Sequence, residues 1–282
     1  MTIEGFTDAA VVLIGHGSSV NSASSTPVFQ HAAELRRRRL FARVLECFWK
    51  LAPGPAEVLD GVTEPRTFIV PLFVSEGYFT EEIIPRALGL RAEGAPEFAR
   101  LQRRGARWLY YCSPIGTHPR LTDALVARAQ GIAAEHPFPR APKPWETSLF
   151  IAGHGTGANE NSRRAVEKHA ALIRERASFA DVHAVFLEEH PRIEDCYRLA
   201  ATRHMVVVPL FISDGLHAFE DIPVRLGESE ANVQARLRAG QPAWRNPTER
   251  HGKLVWYAPG IGLEPLITEV ILERIAEASA WG

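Results

Sequence analysis

Histidine stands between two glycines twice in this chain, at His16 in "VVLIGHGSSVNSAS" and at His154 in "SLFIAGHGTGANENSRRA". In the second stretch the apolar run before the turn reads as a buried strand, and the polar residues after it as a helix start. Two strand-like runs downstream end on side chains able to bind a metal or move a proton. "VHAVFLE" closes on Glu188, with Glu189 beside it an equal candidate, and "VVVPLFISDGL" is followed by His217. Imidazole plus carboxylate without thiolate suits a borderline divalent ion such as Fe2+, Co2+ or Ni2+. Each residue alone has an ordinary reading: a hydrogen-bonded turn histidine, a solvated or helix-capping glutamate, a surface histidine. Their joint placement at the ends of successive apolar runs makes them a set, because open parallel sheets bind ligands beyond the carboxyl ends of their strands. Gly153 and Gly155 are expected to keep the His154 ring unobstructed and let a large ligand approach the backbone.

The elements that must position this set are written twice. His154 minus His16 is 138; "VPLFVSEGYFTEEIIP" ends at Pro85 and "VPLFISDGLHAFEDIP" at Pro223, again 138 apart. "RVLECFWK" lies over "DVHAVFLE" at the same offset. Later the offset grows to 146, where "GTHPRLTDALVARA" from Gly116 matches "GLEPLITEVILERI" from Gly262. The second copy therefore carries an eight-residue insertion (146 − 138), within "GESEANVQARLRAGQPAWRN". Continuous β-branched runs alternating with helical patterns imply parallel strands covered on both faces. The fold class is α/β: two duplicated open parallel-sheet domains, each of about four strands with right-handed crossovers. They are expected at residues 1–135 and 147–282, facing each other across a cleft, joined by a proline-rich linker at 136–146. The duplication also compares the candidates: His154 falls on His16, but Glu188 falls on Lys50 and His217 on Phe79. A lysine repels a dication and phenylalanine cannot coordinate one, so a metal site belongs to the second half, and the first carries a degenerate one.

At 282 residues the chain suits two domains of ordinary size, and 46% hydrophobic with 23% charged residues is ordinary for a soluble globular protein. A formal charge of −1 gives no global field for nucleic acid or an anionic membrane. The basic run from Arg36 to Arg39 reads as a solvated helix face. Cys47, Cys112 and Cys196 are far apart and form no CxxC pair, which argues against disulfides, structural zinc or an iron–sulfur cluster. No apolar run reaches the ~20 residues of a membrane span, and the first residues lack a signal-peptide pattern, so a cytoplasmic location is expected. Neither a GxxxxGK[ST] loop nor GxGxxG is present, so no nucleotide is expected.

With these stretches in view, the chain resembles the sirohydrochlorin chelatase family, class II chelatases that insert a metal into a tetrapyrrole in sirohaem and cobalamin synthesis, in its long two-domain form. "LIGHGSS" and "IAGHGTG" are similar to the family's strand-end histidine turn, "AVFLEEHPRIED" to its Phe-Leu-Glu segment, "VVVPLFISDGLHAFEDIP" to its Pro-Leu-Phe…His…Asp-Ile-Pro segment, and "GIGLEPLI" to its final turn. The resemblance implies that His154 and His217 are metal-binding and catalytic, with Glu188 rather than Glu189 as the accompanying carboxylate. Long members often keep the full set in the first half; here it lies in the second, leaving His16 as an extra ligand or a relic.

The implied reaction is ATP-independent insertion of Co2+ or Fe2+, with Ni2+ a further option. His154 and His217 would hold the metal in a partly open site, Glu188 would bind metal or fix a tautomer, and one of them would take the pyrrole protons. Ligation by neutral imidazole gives activity rising through roughly pH 6–7. The family's substrate is a polycarboxylate, so the backbone N–H groups at the helix start after "GHGTGANEN" and Arg163 and Arg164, with Lys168 nearby, are candidate clamps; adjacent helix residues diverge, so one of the two arginines should face inward. A non-catalytic tetrapyrrole or metal carrier, and a hydrolase using His154, are the rival readings. A monomer with an internal pseudo-twofold is expected, because duplication mimics a homodimer of half-length chains.

Overall fold

The structure, a computed structural model, describes residues 5–19, 21–155, 160–213, 215 and 217–281. Residues 156–159, within the "GHGTGANEN" stretch that leads into the expected anion-binding helix start, lie outside the described residues, as do Asp214 and Leu216; the helix itself is described from Glu160.

The first repeat runs β1 (Ala9–Gly15), α1 (Thr26–Arg38), β2 (Arg43–Phe48), α2 (Pro55–Asp60), β3 (Arg66–Pro71), a π-helical turn (Phe79–Ile83), α3 (Ile84–Ala87), β4 (Leu101–Arg104), β5 (Arg107–Tyr111) and α4 (Leu121–Glu135). The second runs β6 (Thr147–Gly153), α5 (Glu160–Glu175), β7 (Asp181–Phe186), α6 (Cys196–Leu199), β8 (His204–Pro209), a second π-helical turn (His217–Asp221), α7 (Ile222–Arg225), α8 (Glu230–Arg238), β9 (Thr248–Arg250), β10 (Lys253–Tyr257) and α9 (Leu266–Ser279). The sheets have the orders β2-β1-β3-β5-β4 and β7-β6-β8-β10-β9. Four strands of each are parallel, as the apolar runs imply. The fifth, β4 or β9, pairs antiparallel with its neighbour. These edge strands read "LQRR" and "TER", without an apolar run, so nothing in their patterning marks them as strands; charge on an edge also discourages pairing with another chain.

The apolar runs become central strands because both their faces are covered. All seven residues of β1 and all seven of β6 are buried. On α1 the buried face is Pro27, Val28, His31, Ala32 and Leu35, and on α5 it is Ala165, Val166, His169, Ala170 and Ile173, the same positions at the repeat offset. Three residues of the basic run end α1 and are paired, Arg36 with Glu46 and Arg37 and Arg38 with Glu34, and Arg39 caps the helix.

The chain divides into two compact units, Met1–His118 with Pro265–Gly282, and Pro119–Glu264. This division differs from a cut at the proline-rich segment: α9, encoded by the second repeat, belongs to the first unit, and α4, encoded by the first, belongs to the second. In the first unit α9 packs on α1, β3 and β5; in the second, α4 packs on α5, β8 and β10. Each junction is marked by a buried pair, His31 Nδ1 with Thr268 Oγ1 at 2.9 Å and His169 Nδ1 with Thr122 Oγ1 at 2.9 Å. The insertion also has a structural account: it builds α8. Trp244, just beyond it, is 3% exposed in the second unit's core, and its indole N–H donates to Val255 O at 3.2 Å.

Candidate active site

The site forms at the carboxyl ends of β6, β7 and β8, all within the second unit. After β6 the chain turns through Gly153, His154 and Gly155, and packing accounts for both glycines. A Cβ on Gly153 would lie 2.4 Å from Val166 Cγ2 of α5. Gly155 has φ +66°, and a Cβ there would lie 2.8 Å from Phe186 Cβ, so it needs both the left-handed backbone and the missing side chain. The glycines serve the close approach of α5 and β7. The amides of Leu187 and Glu188 then donate to His154 O at 3.2 and 3.1 Å, which sets Glu188 beside the histidine.

His217 opens the second π-turn, a geometry frequent at functional sites. The turn is tethered from behind, where the buried Tyr257 hydroxyl donates to Ala218 O at 2.6 Å, and from the side, where Gln234 of α8 donates to Glu220 at 2.6 Å. The rings of His154 and His217 meet edge to face with centroids 4.7 Å apart. Glu188 Oε1 lies 3.8 Å from His154 Nδ1, and Asp221 Oδ2 accepts from His217 Nδ1 at 2.5 Å.

These side chains border a pocket of about 640 Å³ lined by His154, Leu187, Glu188, Glu194, His217, Glu220, Asp221, Val224, Arg225 and Glu230. The one guanidinium among its described lining residues, Arg225, is held by Glu194 at 3.1 Å. An excess of carboxylate draws cations. His154 Nδ1 is buried without a hydrogen-bond partner among the described residues, whereas the matching atom of His16 bonds Gly17 O at 2.8 Å. A buried ring nitrogen left without a partner calls for an explanation, and a metal ion would supply one. Burial, and then the neighbouring His217, hold the His154 pKa below the ordinary imidazole value of 6.5, against the opposing pull of Glu188 and Asp221. The ring is thereby kept neutral and able to ligate. Among the described residues no three His, Cys, Asp or Glu groups converge as a ready-made cage. The arrangement is an imidazole pair with an exposed Glu188 beside it.

The other candidates lie elsewhere. Glu189 is bonded to Arg163 at 3.0 Å, and Arg163 also holds Glu167 and His190 O and sits over the Phe186 ring at 5.0 Å. Arg164 is exposed and paired with Glu160. Neither arginine lines the pocket. In the first unit Lys50 is exposed, and Phe79 packs edge-on against His16 at 5.3 Å and against Trp49 at 6.3 Å. The pocket carboxylates Glu194, Glu220, Asp221 and Glu230 were not singled out in the sequence. For Asp221 a signal exists: it falls on Ile83 of the first repeat, by the same offset that sets His217 on Phe79.

A model of the CbiX family matches residues 10–132 and again residues 148–278. This chain belongs to the CbiX family. A Halobacterium salinarum protein called a probable sirohydrochlorin cobaltochelatase is 38% identical over 281 residues, covering 96% of this chain and 92% of that one. A sirohydrochlorin cobaltochelatase of Methanopyrus kandleri is 31% identical over 139 residues, 46% of this chain and 96% of its own length. Among solved structures, a multi-domain Deinococcus radiodurans protein described as structurally similar to chelatases superposes with a TM-score of 0.75 at 30% identity; the match covers 95% of this chain and 54% of that one, so this chain spans about half of it. SirB from Bacillus subtilis, solved with Fe3+, superposes with a TM-score of 0.65 at 18% identity over 96% of each chain, a likeness of fold. For a CbiX family member the duplicated match is notable in one respect: both repeats fit the family, while the His/Glu/His set stands in the second.

Proposed function

We propose that this chain inserts a divalent metal, Co2+ or Fe2+, into sirohydrochlorin or a related tetrapyrrole, without a nucleotide. The observation that carries the reading is the His154–His217 pair, 4.7 Å between ring centroids, in a carboxylate-lined pocket of a CbiX family chain. The metal is a substrate. His154 Nδ1 and the free nitrogen of His217 take it from water, and Glu188, its side chain 57% exposed, swings onto it or receives a pyrrole proton and passes it to solvent. The free-base macrocycle and M2+ give the metallated macrocycle and the displaced pyrrole N–H protons. Two imidazoles and one mobile carboxylate hold the ion loosely enough to surrender it to the ring nitrogens, where thiolates would retain softer ions.

Arg164 is the more available of the two arginines for a substrate carboxylate, since Arg163 would have to give up its bonds to Glu167, Glu189 and His190. No helix among the described residues is long and apolar enough to cross a membrane. The half-length span of the Methanopyrus kandleri match supports a working unit of one duplicated chain. Mixing purified protein with sirohydrochlorin and Co2+ or Fe2+, and following the visible spectrum against a protein-free control, tests the proposal. Accelerated metallation supports it; bound macrocycle with the protein-free rate would make the chain a carrier.

A further inference from the structure

We propose that Asp221 is a positioning residue for metal capture, fixing the His217 ring so that Nε2 faces the incoming ion. This inference rests on the metal-handling reading of the pocket. A carboxylate can only accept, so the 2.5 Å contact between Asp221 Oδ2 and His217 Nδ1 puts the hydrogen on Nδ1. Nε2 is then the nitrogen with a lone pair. Carboxylate partners of this kind orient metal-binding histidines and strengthen them as ligands. His217 needs such a partner. Its side chain is 52% exposed, and its other ring neighbours are the His154 edge at 4.7 Å and Phe211 at 6.4 Å. Contacts of that kind do not select a tautomer.

The duplicated sequence separates this role from a structural one. Glu220 and Pro223 of the second turn recur as Glu82 and Pro85 in the first, and the tyrosine tether recurs as Tyr111 to Thr80 O at 2.8 Å. The turns differ at four of their five positions: Ala218 and Phe219 stand against Thr80 and Glu81, and the two metal-competent side chains missing from the first turn at matching positions are His217 and Asp221, against Phe79 and Ile83. The π-turn forms in both repeats, so its geometry does not require the carboxylate. The aspartate is present where the imidazole is present and absent where it is absent.

The test uses the full chain with Co2+ alone as probe. Uptake is followed through the visible absorption of bound Co2+, and the His217 tautomer through its ring 15N shifts. Asp221→Ala should weaken Co2+ binding by roughly 10–100-fold, move the protonated nitrogen away from Nδ1, and raise the KM for Co2+ more than that for the macrocycle. Asp221→Glu should recover part of the affinity, and the near-isosteric Asp221→Asn provides a folded variant should alanine unfold the turn. Unchanged Co2+ affinity in both the alanine and asparagine variants, beside a His217→Ala control that loses it, overturns the role of Asp221 and leaves the metal reading standing. A parent chain that takes up no Co2+ overturns both.

Discussion

The two π-turns, Phe79–Ile83 and His217–Asp221, are anchored alike and equipped differently. Each is held from behind by a tyrosine of the adjoining parallel strand, Tyr111 to Thr80 O and Tyr257 to Ala218 O. Each faces a histidine from a Gly-His-Gly turn. In the first unit that histidine spends Nδ1 on Gly17 O and its ring meets phenylalanine. In the second, Nδ1 is left unbonded among the described residues and the ring meets another imidazole. What is common to both copies builds the fold, and what is confined to one is the proposed metal-handling set.

The largest effect should come from the histidines. His217→Ala is expected to reduce metal insertion to the protein-free rate, whereas His16→Ala should leave turnover near that of the parent; the visible-spectrum assay decides, and a severe loss in His16→Ala would give the first half a chemical part. The glycines should behave as a matched pair. Gly17 and Gly155 have φ +67° and +66°, with an added Cβ meeting Phe48 at 3.0 Å or Phe186 at 2.8 Å. Alanine at either should cost about 1–3 kcal/mol in urea unfolding. A much smaller cost at one would show that the two turns are not equivalent.

The tyrosines should split. Removing either hydroxyl leaves a buried carbonyl unpaired, worth about 1–3 kcal/mol, so Tyr111→Phe and Tyr257→Phe should lower stability to a similar degree. Tyr257→Phe alone should also weaken Co2+ uptake, because its turn carries His217. The smallest effect concerns pH. The folded His154 pKa lies below 6.5, lowered first by burial and then by the charge of His217. The unfolded chain therefore takes up the proton first as pH falls through 6.5, and stability declines from there downward while the folded ring stays neutral. Ligation through His154 should persist at pH 6.5 and fail only at lower pH. In His217→Asn the titration, followed by NMR, should move back toward 6.5.

Much of this arrangement was legible because the chain repeats itself. A shared offset of 138 sets the strands, the turns and the losses at Lys50 and Phe79. The apolar runs of β1 and β6 announce central strands. The edge strands were not legible, since "LQRR" and "TER" have the composition of loops and pair only because β5 and β10 present open backbone. The ion pairs of the two arginines were not legible either: composition gives Arg163 a charge, but not the fact that Glu167 and Glu189 pair with it. Asp221 was not legible as a partner of His217, because an aspartate four residues after a histidine is unremarkable until the turn's geometry puts them in contact.

The exchange of α4 and α9 also bears on what the first repeat contributes to the unit that holds the proposed ligands. Leu121, Leu125 and Ile132 of α4 are buried in the unit that holds the pocket, and Thr122 there bonds His169. A shortened chain beginning at the proline-rich segment would keep every proposed ligand and yet lose a wall of its own interior. The first repeat thus supplies part of the second unit's interior, and a cut at that segment would leave the unit with the proposed ligands unfinished.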